Sequence, residues 1–130
     1  MPEARGPDIA GRGVKYIRDV AMNVVLSYEK AHGRDPKDVS GRRQGYDISS
    51  GGRKIEVKGS GRKWKKLKSG SLLLTKNELQ NATHLYLVCG VYGSRDLHVF
   101  EFSKIRSHTR AVKTMVKLYI ARCRDSEIKE

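Results

Sequence analysis

Residues 45–60 read GYDISSGGRKIEVKGS, and the fold follows from how this stretch is paired. Tyr46-Asp47-Ile48-Ser49 and Lys54-Ile55-Glu56-Val57-Lys58 alternate apolar with polar residues, the period-two pattern of strands with one buried face. Gly51-Gly52 between them suits a two-residue hairpin turn, whose central positions favour positive φ. A turn there sets the register: 50 pairs with 53, 48 with 55, and 47 with 56. Tyr46, Ile48, Ile55 and Val57 then share the core face, while Asp47, Glu56 and Lys58 share the other. Carboxylates directly across a ladder repel each other. Accepting that repulsion predicts a cation between them, and hard ions such as Mg²⁺ or Mn²⁺ take carboxylate and carbonyl oxygens.

The short pattern acid-x-Lys carries little weight alone. It recurs as Asp35-Pro36-Lys37, in a predicted loop, and as Glu127-Ile128-Lys129, in a predicted terminal tail. Only Glu56-Val57-Lys58 follows an acid on a partner strand. The competing reading is an exposed hairpin face on which Lys58 neutralises one acid.

Upstream, residues 1–12 hold prolines and glycines and read as a loose arm. From Val14 an apolar stripe at three- and four-residue spacing (Ile17, Val20, Ala21, Val24, Val25, Tyr28) predicts a helix ended by Gly33 and Pro36, with Glu29 on the stripe's border. Residues 34–44 read as a polar loop. Downstream, Gly59–Gly70 is a basic loop, and Ser71–Thr75 (SLLLT) a strand covered on both faces. Thr75 with Glu78 forms a capping box for a short helix over 76–82. Leu85–Tyr92 reads as a buried strand and Leu97–Phe102 as a half-exposed one. A helix is predicted from Ser103 to about Arg122, with Ile105, Val112, Met115, Val116, Tyr119 and Ile120 on its core side, before a tail at 123–130. The expectation is one α/β domain over 13–122, a mixed sheet flanked by helices in the order α-β-β-β-α-β-β-α.

Charge narrows the partners. Lys and Arg number 27 against 14 Asp and Glu, a formal net charge of +13, which attracts polyanions, nucleic acid above all. Arg53, Lys54, Lys58, Arg62, Lys63, Lys65, Lys66 and Lys68 crowd sixteen residues around one acid, Glu56. Trp64 lies inside this run, placed either to stack on a base or to anchor the loop. Lys76 opens the short helix, where phosphate binding and a plain cap are both open readings. Cys89 and Cys123 read as ordinary thiols, and His32, His84, His98 and His108 show no ligand spacing. No apolar run approaches the ~20 residues of a membrane span. The N-terminal stretch lacks the apolar core of a secretory signal, so a cytoplasmic location is expected.

Taken together, GYDI, RKIEVKGS, LLLTKNEL and LYLVCGVY resemble the PD-(D/E)XK nuclease superfamily. The closer resemblance is to its NO VEIN C-terminal-like domains, related in fold to archaeal Holliday-junction resolvases and Mrr-type restriction nucleases. It runs from about residue 13 to 105. Gly45-Tyr46 stands where the superfamily's proline would precede the first acid. The resemblance implies a restriction-endonuclease-like fold and a Mg²⁺-dependent endonuclease acting on DNA, leaving 5′-phosphate and 3′-hydroxyl ends. Asp47, Glu56 and the Val57 carbonyl would hold Mg²⁺ (Mn²⁺ a possible substitute), Lys58 would act at the phosphate, and Glu29 would be a fourth catalytic member. The alternatives are a binding module without turnover and a subunit of a larger restriction or repair assembly. A homodimer is plausible, since cutting both strands needs two sites, and the final helix would offer its face.

Overall fold

The computed structural model describes residues 13–129; the expected arm, 1–12, lies outside them. Helix α1 (Val14–Ala31) follows the predicted stripe and buries Ala21, Met22 and Val25. The chain then leaves the helix through Gly33 at φ 77°. Strand β1 (Lys37–Asp38) occupies part of the expected polar loop. It is short and exposed, and backbone pairing rather than any apolar pattern places it beside β2 (Ile48–Ser50).

β2 and β3 (Arg53–Gly59) form the hairpin, with Gly51 and Gly52 at φ 52° and 84°. The ladder pairs Ile48 with Ile55, Ser49 with Lys54 and Ser50 with Arg53, the register set by the turn. It stops one pair short of Asp47. The Asp47 N–H donates to the Ile55 carbonyl at 2.8 Å, so Asp47 and Ile48 both face Ile55 in the manner of a bulge. Asp47 is therefore not the strict cross-strand partner of Glu56. The bulge turns its side chain along the edge of β3 instead.

Short helix α2 (Trp64–Leu67) interrupts the basic loop, and β4 (Ser71–Thr75) follows it. Thr75 caps α3 (Lys76–Asn81) in a full capping box with Glu78. Strands β5 (His84–Cys89) and β6 (Asp96–Glu101) come next. β5 lies parallel to β3 and antiparallel to β6, and β6 is more deeply buried than its alternation predicts, with His98, Val99 and Phe100 all inside.

The predicted C-terminal helix is not formed. After one helical turn, α4 (Phe102–Ile105), the chain makes a hairpin of β7 (Thr109–Val112) and β8 (Met115–Tyr119). Lys113, at φ 57°, forms the turn. Val116, Leu118 and Ile120 are buried while Met115, Lys117 and Tyr119 are less so. That is a period of two, which the β-branched residues of this segment favour over a helix. The expected tail also pairs: Ile128 and Lys129 form β9 against β6. With no long terminal helix, the dimer face assigned to it is absent.

The large sheet runs β1-β2-β3-β5-β6-β9, and β4-β8-β7 form a small second sheet. Ile48, Ile55, Tyr86, Val88 and Val99 bury one face of the large sheet against α1. Leu85, Leu87, Cys89 and Phe100 bury the other against Leu74, Val116 and Leu118 of the small sheet. β4 is accordingly covered on one side only, leaving Leu73 53% exposed. Against α1 a Cβ on Gly59 would come within 2.9 Å of Ile17 and Ala21, so glycine there lets helix and strand close up. Among the described residues, no helix is long and apolar enough to cross a membrane.

Candidate active site

Glu56 lies on the small-sheet face of β3 and is only 4% exposed. Burial pushes its carboxyl up to about 9, with the negative charge of Asp47 as the next cause; Lys58 opposes the shift and Glu78 adds to it. Asp47 is thus electrostatically coupled to Glu56 although the ladder does not pair them. Its Oδ2 accepts a hydrogen bond from the Val57 N–H at 3.0 Å. A strand residue's N–H and C=O point to the same side, so the Val57 carbonyl also looks towards Asp47.

The Lys58 ammonium sits 3.4 Å from Glu56 and 3.2 Å from Glu78. Burial alone would lower its pKa, but the two carboxylates outweigh burial and raise it. Lys58 is therefore held as a cation. Glu78 was missed as a site residue because its sequence signal was already explained by the cap. The capping box does both jobs: it fixes the Glu78 carboxylate, which accepts from Thr75 N–H at 2.9 Å, and leaves the same oxygen within reach of Lys58.

The donor set suits a hard divalent cation. A carboxyl buried next to a second carboxylate keeps its proton for want of positive charge. An ion between Asp47 and Glu56 would supply that charge, with the Val57 carbonyl as a third oxygen.

Glu29 does not join this group. It is fully buried, and its two oxygens accept from Arg34 Nε and Nη2 and from the Tyr86 hydroxyl. Burial would raise its pKa, but the hydrogen bonds from Arg34 and Tyr86 prevail and lower it. Ser50 and Tyr86 put this cluster on the α1 side of the sheet, at the turn end of the hairpin. Glu29 closes a buried ion pair with Arg34 there.

Among the expected nucleic-acid contacts, Arg53 donates to the Tyr86 hydroxyl at 2.7 Å and so belongs to the Glu29 cluster. Lys54 lies over the Tyr46 ring, 5.8 Å from its centroid. Trp64 stacks on His98 with centroids 3.9 Å apart and packs on the core, which makes it the loop's anchor. Arg62, Lys63, Lys65, Lys66, Lys68 and Lys76 are exposed. Two side chains read as unremarkable do converge elsewhere: His108, Cys123 and Glu127 lie together where the small hairpin meets β9. His108 Nε2 is 3.2 Å from Glu127, and burial pushes the Cys123 thiol up to about 11.

A mixed α/β domain with an acid-x-Lys strand beside a bulged acid is the class this geometry defines. The family described as "Protein NO VEIN, C-terminal" matches residues 17–101, and the chain belongs to that family. No curated protein matches it. The matched span holds most of α1, the hairpin, α3, β5 and β6, and so every residue of the site.

Proposed function

We propose that the protein is a metal-dependent endonuclease that hydrolyses phosphodiester bonds of DNA, with Mg²⁺ as its ion and Mn²⁺ as a substitute. The observation that carries this reading is Glu56, an acid kept in the interior beside Asp47 and Glu78, with Lys58 as the offsetting cation among the described residues. A pure binding surface gains nothing from such an arrangement, since phosphate binding asks for cations alone.

Asp47, Glu56 and the Val57 carbonyl would hold the ion, which when bound supplies Lewis acidity to a phosphate oxygen and acidity to water. Lys58 stays protonated and offsets negative charge that builds on the phosphate in the transition state. Glu78 is a positioning residue: fixed by the cap of α3, it holds the Lys58 ammonium beside Glu56. The exposed lysines and arginines of residues 62–68 and Lys76 attract and hold the phosphate backbone.

Cleavage of plasmid and labelled oligonucleotides with Mg²⁺ or Mn²⁺ tests the proposal. Turnover lost in Glu56→Ala supports it. Tight, salt-sensitive binding with no turnover in any metal would make the protein a binding module.

A further inference from the structure

With Trp64 committed to His98, the exposed tyrosines among the described residues are Tyr16 and Tyr92, 45% and 55% exposed. They stack on each other, 5.6 Å between centroids and 9° from parallel. Each covers only one face of the other, so ring surface remains open to solvent. Tyr16 stands in the first turn of α1 and Tyr92 in the turn after β5.

Both are tied to the candidate site. The loop leaving Lys58 is fastened to the β5 turn by Ser60 N–H to Val88 O, Val91 N–H to Ser60 O and Gly90 N–H to Arg62 O, at 2.9, 3.1 and 2.8 Å. Gly61 lies so close to the Tyr92 ring that a Cβ would meet it at 2.9 Å. On the other side, a groove of about 370 Å³ runs between α1 and the end of β3, lined by Asp47, Val57, Lys58, Ile17 and Arg18 among others. Val14 and Ile17, which line it, stand on either side of Tyr16 in the first turn of α1.

We propose that this site takes nucleic acid with an unpaired nucleotide at the cut, whose base stacks on the Tyr16–Tyr92 pair while its phosphate lies by Lys58. The inference rests on the nuclease reading and specifies its substrate class. A base inside a duplex has both faces covered by its neighbours and offers none to a protein ring; an unpaired base does. Arg18 lines the groove and the exposed Arg62 follows Gly61, which packs on Tyr92, so the positive charge near the rings matches a polyanion rather than an apolar protein surface.

The test uses the full chain carrying Glu56→Gln to stop turnover, with fluorescence anisotropy on single-stranded, splayed-fork and blunt duplex DNA of equal length. Adding Tyr16→Ala or Tyr92→Ala is expected to weaken single-strand and fork binding about tenfold, with duplex binding within about twofold and Tyr→Phe restoring affinity. Unchanged thermal melting shows that the variants remain folded. Equal loss on all three DNAs, or no loss on any, overturns the inference. Because binding is read without cleavage, the two claims separate. Tyrosine-dependent binding with no turnover in the parent chain rejects only the nuclease reading. Robust cleavage that ignores both tyrosines and strand pairing rejects only this one.

Discussion

Glu56 and Glu29 are both buried acids on neighbouring elements, yet their surroundings push them in opposite directions. Glu29 has a guanidinium and a phenol for its two oxygens, and its pKa falls. Removing it leaves the part-buried Arg34 without its partner, so Glu29→Ala should lower unfolding free energy by about 3 kcal/mol, measured in urea. Glu29→Gln, assayed where it is folded, should keep kcat within about tenfold of wild type; a loss of thousands would restore Glu29 to the catalytic set. Glu56 has too little positive charge, and its pKa rises to about 9 from 4.5. A raised folded-state pKa means the native protein holds this proton more tightly than the unfolded chain. The contribution to stability is complete below the unfolded value and is lost as pH climbs from about 4.5 to about 9. In metal-free protein, thermal melting should therefore fall across that window, and Glu56→Gln should flatten the slope. Mg²⁺ binding near neutral pH should release about one proton, read by calorimetry in buffers of different ionisation enthalpy. No proton release would mean that Glu56 is not a ligand.

At the scale of elements, the hairpin of residues 46–58 was legible because two signals agreed: alternation and a Gly-Gly turn. The bulge at Asp47 was not, since nothing in the local sequence marks where a ladder stops. The segment 103–122 was misread for a related reason. Val112, Met115, Val116, Tyr119 and Ile120 satisfy helical spacing, but Val116, Leu118 and Ile120 satisfy strand spacing as well. The deciding contact is Leu118 pairing with Leu72 in β4, a distant partner that periodicity cannot reveal. The two readings differ at Lys113. In a helix, Lys113→Gly would cost about 1 kcal/mol. In the observed turn, at φ 57°, it should be neutral or stabilise by about 0.5–1 kcal/mol, a difference that denaturant melting resolves. Glu78 stayed hidden because a capping box already accounted for it. Glu78→Gln keeps a side chain able to accept from Thr75 but weakens the hold on Lys58, so kcat should drop while melting changes little.

Across the whole molecule, a net charge of +13 and exposed cations from Arg62 to Lys68 accompany a centre of acids and one half-buried lysine. Affinity for DNA should fall steeply with salt, and Lys65→Ala with Lys66→Ala should reduce that slope without abolishing turnover on saturating substrate; an unchanged slope would remove this loop from the interface. The layered core was readable from alternating apolar strands, and its basic surface from composition. The small sheet and the return of residues 128–129 to the large one depend on long-range pairing. The central claim is that Asp47, Glu56 and Lys58 form a metal-dependent phosphodiesterase centre. Its most direct test is cleavage of an end-labelled panel of single-stranded, duplex, forked and four-way-junction DNA by wild type and Glu56→Ala, with Mg²⁺, Mn²⁺ or chelator. The account predicts metal-dependent cutting of at least one substrate by wild type, abolished by chelator and by the substitution. Equal cutting by the two proteins, or none by wild type on any substrate in either metal, would contradict it.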